Sequence, residues 1–375
     1  MEITQSNAPG KVGWKIVGAL CFAVWLGEAH AYQLSPEGTP EERALSGIKQ
    51  SWARSAAVTS SNLYMRYFNE AVHEEVTNRI YGCEGGSDIC GGIQPSRVPA
   101  GVLAGVRWND DPPFMLNPNA ARRTTCKTTE TIRFQTQPLC WGVLFKDAKK
   151  RAGAGEVFDA KSRSAMLYRT HFGDLQYLHA MASGDGVPAN ITQQRMLQWA
   201  EFTWIVASGA ITLATKLRVI EVTAVKDSFG YTDWSVQDLL TLGSPGLREH
   251  IRDVAFGTLL HMVQDSFAEG HTDRESSDPD RNCAIGEWRM EAPGAIREFH
   301  AYNRQDGDLH AEADSQKAFL RHLQEEADVV QVGQILRRAY VAKKPWSDVA
   351  PFMSCVFRIA PEAAEASPGV QFQSH

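Results

Sequence analysis

The sequence predicts an all-α fold, a single helical domain with long loops pinned by disulfides. Apolar residues recur at helical spacing in several segments, and no internal repeat, low-complexity tract or linker divides the 375 residues. Residues 81–160, where the helical periodicity is weakest, contain several of the cysteines, which predicts long loops held by disulfides. Because 43% of the residues are hydrophobic, the chain has enough apolar surface for a substantial core.

Helical periodicity is clearest in five segments. We predict helices over residues 60–80, from about residue 164, over 192–217, over 244–269 and from Asp308 onward. The fourth begins at Ser244-Pro245, a favourable cap followed by a proline in the first turn, and Gly270 is a typical stop. In the non-helical part, the alternating "TIRFQTQ" predicts a small hairpin.

The first 31 residues have the features of a secretory signal peptide. Lys11 and Lys15 precede the apolar run 16–26, and Ala29-His30-Ala31 resembles a cleavage site. The run is shorter than the roughly 20 apolar residues that span a bilayer. We expect cleavage after Ala31 and a secreted or periplasmic domain of residues 32–375; an uncleaved membrane anchor is the alternative.

The cysteines agree with export. Of the seven, Cys21 lies within the predicted signal, which leaves an even number for disulfides. The shortest loops result from the pairs Cys83–Cys90, Cys126–Cys140 and Cys283–Cys355, although other connectivities remain open. The sequence contains no CxxC, which argues against a cysteine zinc knuckle.

The stretch "LLHMVQDSFAEGH" contains the most informative motif. His261 and Asp265 are four residues apart on the predicted fourth helix, so both side chains lie on one face. His271 follows just beyond the helix. Zinc accepts imidazole nitrogen and carboxylate oxygen, so the three residues are candidate ligands. The alternative is a core-facing histidine paired with a buried aspartate.

The same spacing recurs at His310 and Asp314. Two such pairs, with His271 between them, indicate a cluster of more than one metal, in which Asp265 bridges two ions through its two oxygens. Clustered metals suit phosphoryl chemistry, because they neutralise phosphate charge and generate hydroxide at neutral pH.

Other residues are candidates with open alternatives. His171 and Asp174 share a helix face, so His171 can ligate a metal and Asp174 can orient an imidazole. His179 is a further candidate, although a packing role is favoured. Asp110 and Asp111 lie in the turn "WNDDPPF", where a metal or catalytic role and a solvated turn are equally plausible.

Two more histidines have weaker assignments. His73 borders an apolar helical stripe, which by itself favours a core position. His300 is a candidate for hydrogen bonding to a metal ligand without binding the metal itself. Motifs for other chemistries, namely GxSxG, the P-loop GxxxxGK[ST] and HExxH, do not occur in the sequence. The net charge of −6 argues weakly against a nucleic-acid partner.

The run His261-x3-Asp265-x5-His271, followed by His310-x3-Asp314, resembles the zinc-dependent phospholipase C superfamily, which also contains the single-strand-specific nucleases. "THFGDLQYLHAMAS" and "DSFAEGHTDR" look more like its bacterial phosphatidylcholine-hydrolysing branch. The resemblance spans roughly residues 65–330. It implies an all-α fold with two or three zinc ions in a cleft.

Ligand assignments follow from the resemblance. Asp265 would bridge two zinc ions, and the other ligands would be His73, Asp110 or Asp111, His171, His261, His271, His310 and Asp314. Many members also use a mature N-terminal tryptophan as a zinc ligand. Predicted cleavage here leaves Tyr32 instead, so that ligand is not accounted for.

The resulting expectation is a secreted, monomeric zinc phospholipase C. It would cleave the glycerol-side phosphodiester of phospholipids such as phosphatidylcholine at a membrane or micelle surface, with Asp265 and either Asp110 or Asp111 as catalytic residues. No nucleic-acid partner is expected. A zinc nuclease or nucleotidase on the same scaffold is the alternative, and a non-catalytic helical protein is the third hypothesis.

Overall fold

The computed structural model describes residues 33–49, 51–65, 68, 70–83, 97–116, 126–323 and 329–373. The structure is about 53% helical, and within the described residues two small antiparallel sheets of two strands each accompany the helices. The prediction of an all-α fold is therefore wrong, because the fold is mixed α/β. The predicted signal peptide and Tyr32 lie outside the described residues.

The α-helices of the described residues surround one apolar core, and most of them contribute buried apolar side chains to it. In chain order they are α1 (Pro40–Leu45), α2 (Trp52–Met65), α3 (Val72–Ile80), α4 (Ala100–Trp108), α5 (Pro138–Gly153), α6 (Met166–Phe172), α7 (Ala189–Ala207), α8 (Thr223–Phe229), α9 (Val236–Thr241), α10 (Ile251–Asp265), α11 (Gly307–Ala313), α12 (Gln316–His322), α13 (Val329–Val341) and α14 (Trp346–Val356).

The strands lie between α10 and α11. β1 (Thr272–Arg274) pairs with β4 (Ile296–Phe299), and β2 (Asp278–Ile285) pairs with β3 (Trp288–Ala292). Gly286 has a φ of 60° in the short connection from β2 to β3, a conformation that glycine adopts without steric cost. The sequence "CAIGEWRM" thus carried a hairpin signal that the helical reading of the chain overlooked.

Helices α4 and α10 cross at two glycines. A Cβ on Gly105 would lie 2.1 Å from the backbone oxygen of Val254, and a Cβ on Gly257 would lie 2.2 Å from that of Val102. Only hydrogen fits at both positions, so the two backbones approach more closely than larger residues allow. This close crossing brings the end of α4, with Asp110 beyond it, beside the C-terminal half of α10.

Two predicted helices end or divide earlier than expected. The prediction of one continuous helix over residues 60–80 is wrong. A new helix, α3, begins after Ala71, where the Gln33 carbonyl accepts the N–H groups of Val72 and His73. Helix α10 ends at Asp265 rather than near Gly270. There the side chains of Thr272 and Arg274 donate to the Ser266 carbonyl, which gives the helix end its partners.

Other boundaries also differ. Residues 81–160 include the helices α4 and α5, and "TIRFQTQ" contributes an isolated bridge from Ile132 to Phe114 in place of a hairpin. The predicted helix 192–217 is shorter, as α7 ends at Ala207. The helix predicted from Asp308 is capped instead by Asp306 and is divided by a second cap at Ser315.

Two predicted disulfides are confirmed. Cys126–Cys140 ties the preceding loop to α5, and Cys283–Cys355 ties β2 to α14 across a sequence separation of 72. Cys90, the predicted partner of Cys83, lies outside the described residues. Disulfides are typical of chains that leave the reducing cytosol. Among the described helices, none combines the length and the apolarity that crossing a membrane requires.

Candidate metal centre

The structure brings nine buried histidine and aspartate side chains into one cluster. Each of four groups of three offers ligand atoms that lie within 4.8 Å of one another. Three groups overlap around Asp110, His179, His261 and Asp265, and we call this set, with His73 and His171, the inner cluster. The fourth group is separate and consists of His271, His310 and Asp314; we call it the outer triad.

Asp265 is the centre of the inner cluster. Its side chain is fully buried, and its Oδ2 lies 2.9 Å from His261 Nε2 and 3.0 Å from His179 Nδ1. The other oxygen, Oδ1, lies 3.3 Å from His73 Nε2. Both carboxylate oxygens therefore face imidazoles from different parts of the chain, an arrangement that suits a carboxylate bridging two ions.

Backbone and amide oxygens orient three of these imidazoles. His261 Nδ1 donates to the Val106 carbonyl at 2.7 Å, and His73 Nδ1 donates to Gln264 Oε1 at 2.6 Å. His171 Nδ1 lies 3.1 Å from the Leu167 carbonyl. A carbonyl oxygen only accepts, so Nδ1 carries the hydrogen, and Nε2 of the neutral ring carries the lone pair. Metal-binding histidines show this same division between their two nitrogens.

Asp110 links His171 to the rest of the inner cluster, because ligand atoms of Asp110, His171 and His179 lie within 4.8 Å of one another. Its Oδ1 lies 3.7 Å from His179 Nδ1, and its Oδ2 lies 4.0 Å from the Nε2 atoms of His73 and His261. Asp110 follows α4 directly, so the glycine crossing of α4 with α10 fixes its distance from Asp265.

The outer triad forms where α11 meets the segment that follows α10. Asp314 Oδ2 lies 3.2 Å from His310 Nε2 and 3.4 Å from His271 Nε2. His271 Nδ1 donates to the His179 carbonyl at 2.5 Å, which joins this triad to the inner cluster. A Cβ on Gly270 would lie 2.8 Å from His310 Nδ1. Gly270 is thus required by close packing rather than by a helix end.

Burial keeps two of the inner imidazoles neutral. It lowers the pKa of His171 to about 3, with a further contribution from the nearby His179, and it also lowers the pKa of His261. Burial alone would raise the pKa of Asp265, but the surrounding imidazoles hold it well below the ordinary value. Neutral imidazoles around an ionised carboxylate are the protonation states that bind a metal.

The outer triad is electrostatically different. Burial opposes protonation of His271, but the carboxylates of Asp265 and Asp314 outweigh it and raise the pKa of His271 to about 9. Burial raises the pKa of Asp314 to about 6 and lowers that of His310. Without a metal, therefore, the triad holds a proton on His271 at neutral pH.

Several ligand atoms of the cluster form no hydrogen bond within the part of the chain that the structure describes. They include His179 Nε2 and Asp314 Oδ1. A buried polar atom without a partner costs about 1–3 kcal/mol. A set of such atoms converging on one place is expected where a cation completes the structure, so the cluster could hold a metal ion.

The open space beside the cluster is small. It has a volume of about 20 Å³, which is enough for a single water molecule. Four residues other than candidate ligands line it, namely Thr170, Gln176, Met181 and Tyr302. The space therefore admits one water-sized group beside the candidate ligands.

Not every candidate from the sequence reaches the cluster. Asp111 points away, where its carboxylate accepts the backbone N–H groups of Phe134 at 2.6 Å and Gln135 at 3.4 Å. The assignment of Asp111 as a ligand and catalytic residue is therefore corrected in favour of Asp110. Asp174 forms a bidentate ion pair with Arg169, rather than orienting a ligand imidazole.

Two histidines received less weight than their positions warrant. His179, for which a packing role was favoured, belongs to two of the four groups. It lies in a 3-10 helix, Gln176–His179, where helical spacing gives no guide, although its closeness in sequence to His171 was a usable signal. His300 lies behind the outer triad and donates from Nδ1 to the Gly270 carbonyl, at 3.1 Å.

An ionic network supports the cluster from behind. Arg107 on α4 contacts Glu42 at 3.3 Å and Glu74, the neighbour of His73, at 3.0 Å. Burial raises the pKa of Glu74 to about 7, although Arg107 opposes this shift. The network joins α1, α3 and α4, and so fixes the positions of His73 and Asp110 relative to each other.

Comparison with family models, with curated proteins and with solved structures finds no match for this chain.

Proposed function

We propose that this chain is an exported zinc-dependent phosphodiester hydrolase of the phospholipase C type. The observation that carries the proposal is Asp265, whose two carboxylate oxygens face imidazoles of different elements inside a buried cluster. Sites with two metal ions suit phosphate esters, because the ions stabilise both the attacking and the leaving oxygen of an in-line displacement. The resemblance of the His-x3-Asp-x5-His run to zinc phospholipases C supports the same reaction.

The chain's residues have distinct tasks in this proposal. Asp110, His73, His171, His179, His261 and Asp265 would hold the inner ions, and the outer triad would hold a further one. Bound zinc would neutralise the charge of a phosphodiester and lower the pKa of a water molecule. Asp110 lies at the edge of the open space, so its carboxylate is placed to accept a proton there.

Enzyme assays on matched variants test this function. Purified protein supplied with zinc is expected to release diacylglycerol from phosphatidylcholine or another phospholipid in mixed micelles, and Asp265→Asn is expected to lose at least about 100-fold of this activity. Asp280→Ala, which removes an exposed carboxylate, is the matched control and retains activity. Hydrolysis of single-stranded DNA without hydrolysis of phospholipid would replace the proposal with the nuclease alternative.

A further inference from the structure

Two consecutive residues at the end of α10 contact opposite nitrogens of one imidazole in the inner cluster. Asp265 Oδ1 lies 3.3 Å from His73 Nε2, and Gln264 Oε1 lies 2.6 Å from His73 Nδ1. Both of these side chains are fully buried. The ring of His73 is also stacked on that of His261, with 4.0 Å between the ring centroids. Helix α10 therefore surrounds His73 on both nitrogens and on one face.

A third residue decides which atom of the Gln264 amide faces His73. Gln264 Nε2 lies 2.9 Å from Thr77 Oγ1, and this hydroxyl lies 2.7 Å from the His73 backbone carbonyl. The carbonyl can only accept, so the hydroxyl donates its one hydrogen to it. Toward Gln264 the hydroxyl can then only accept. The amide nitrogen therefore faces Thr77, and the amide oxygen faces the imidazole.

This arrangement fixes where His73 carries its hydrogen. The amide oxygen only accepts, so Nδ1 donates to it, and Nε2 of the neutral ring directs its lone pair toward Asp265 and Asp110. A metal-binding imidazole needs its lone pair on the nitrogen that faces the ion, while the other nitrogen donates to a neighbouring group. With the amide reversed, its NH2 group would face Nδ1 and favour the other tautomer, whose Nε2 hydrogen would block a metal.

We propose that Thr77 and Gln264 are positioning residues of the inner cluster: the Thr77 hydroxyl orients the Gln264 amide, and the amide keeps the Nε2 lone pair of His73 directed at the metal position. Thr77 thus acts on a metal ligand through a second side chain and without contact to the ion. The proposal rests on the metal binding that the proposed function requires, but not on its substrate or reaction, so zinc affinity tests it without an assay of hydrolysis.

Variants of Thr77 test the orienting hydroxyl. Thr77→Val keeps the shape of the side chain but leaves the Gln264 amide without the group that orients it, so zinc binding at the inner cluster is expected to weaken about tenfold. Thr77→Ser keeps a hydroxyl and is expected to bind zinc as the wild type does. Thr203→Val is the matched control, because the Thr203 hydroxyl is also buried and donates to the carbonyl four residues earlier, that of Trp199 at 2.9 Å, but lies outside the cluster. We expect this control to keep the wild-type zinc affinity.

Variants of Gln264 test the amide itself. Gln264→Met removes the oxygen that accepts from His73 Nδ1, and its zinc affinity is expected to fall by roughly 10-fold to 100-fold. Gln264→Glu keeps an oxygen acceptor at the same place and is expected to bind zinc at least about tenfold more tightly than Gln264→Met. Competition with a chelating dye measures the affinities, and circular dichroism shows that each variant is folded. Equal affinity of these two variants would mean that the acceptor at Nδ1 has no effect on the metal.

Long-range 1H–15N NMR spectra of the zinc-loaded protein give a result that a merely structural role would not change, because they show which nitrogen of an imidazole carries hydrogen. The His73 signals are assigned by their loss in His73→Gln. We expect hydrogen on Nδ1 and zinc on Nε2 in the wild type and in Thr203→Val, and hydrogen on Nε2 in part of the Thr77→Val molecules.

Two results would overturn the proposal: zinc bound to His73 through Nδ1 in the wild type, or Thr77→Val with the zinc affinity and the His73 signals of the wild type. The expected affinities and signals in a protein that hydrolyses no phospholipid would support it and remove only the proposed function.

Discussion

At the scale of single residues, the orientation of each imidazole explains why the motif is a metal-site candidate. His261 and His271 both donate from Nδ1 to backbone carbonyls, which leaves Nε2 toward the cluster. The spacing of His261 and Asp265 on a helix could be read from the sequence, but these carbonyl partners come from Val106 and His179, which are distant in the chain. The choice of Asp110 over Asp111 likewise depends on where one turn directs each carboxylate.

His179 provides a test of the inner cluster. We expect His179→Ala to weaken zinc binding by at least about 100-fold at one site, because it removes an imidazole that faces both Asp110 and Asp265. His250→Ala is a matched control, since His250 is partly exposed and pairs only loosely with Asp253, at 3.9 Å. Competition with a chelating dye measures both variants, and equal zinc affinity in the two would place His179 outside the site.

The outer triad predicts a pH dependence. In the metal-free protein, Asp265 and Asp314 outweigh burial and raise the pKa of His271 to about 9, so its imidazole is protonated at pH 7. Zinc must displace that proton. Affinity at the triad is therefore expected to rise about tenfold per pH unit from about pH 6 to 9 and to level off above that. Calorimetry in buffers of different ionisation enthalpy should show about one proton released at pH 7, whereas none released would contradict this assignment.

At the scale of elements, the site depends on how closely α4 and α10 cross. The periodicity of the sequence predicted α10, but the predicted start is wrong, because Ser244-Pro245 opens a 3-10 helix, Pro245–His250, and α10 begins at Ile251. It did not predict α4, because the need for glycine at position 105 becomes evident only from the nearby backbone of α10. The β2–β3 hairpin was missed for a different reason, since the alternation of buried and exposed residues there is short and lies between long helical patterns.

Gly257 tests the crossing. Gly257→Ala is expected to lower the free energy of unfolding by about 3 kcal/mol, because its Cβ would meet the Val102 backbone oxygen rather than a movable side chain. Gly153→Ala is the control, as a Cβ there would meet nothing within 4 Å, and a small gain of about 0.5 kcal/mol is expected. Urea unfolding of the metal-free proteins compares them, and equal loss in both would mean that the crossing tolerates a methyl group.

At the scale of the whole molecule, one buried cluster holds together segments that are far apart in the chain. Its residues come from α3, the end of α4, α6, the 3-10 helix at His179, α10, the segment that follows α10, and α11 with its C-terminal end. The order and spacing of most of these residues could be predicted from the sequence, since each motif is local. Which motifs meet, and at what distance, is set by packing between helices, and no local pattern encodes it.

Such a cluster should also contribute to global stability. Ions that bind only the folded state stabilise it in proportion to the logarithm of their free concentration over the dissociation constant. We expect a strong chelator to lower the melting temperature of the wild type and to have little effect on Asp265→Asn. A wild-type melting temperature that does not change on chelation, and does not rise when zinc is restored, would show that no ion supports the fold.

The most direct test of the metal centre is the metal content of the purified protein by elemental analysis. The wild type and Asp265→Asn would be compared after equal exposure to zinc, with circular dichroism to confirm that both are folded. The account predicts roughly two or three zinc ions per chain in the wild type and at least one fewer in the variant. A folded wild type that retains no zinc would contradict it, and would leave Asp265 and its histidines as buried residues of the core.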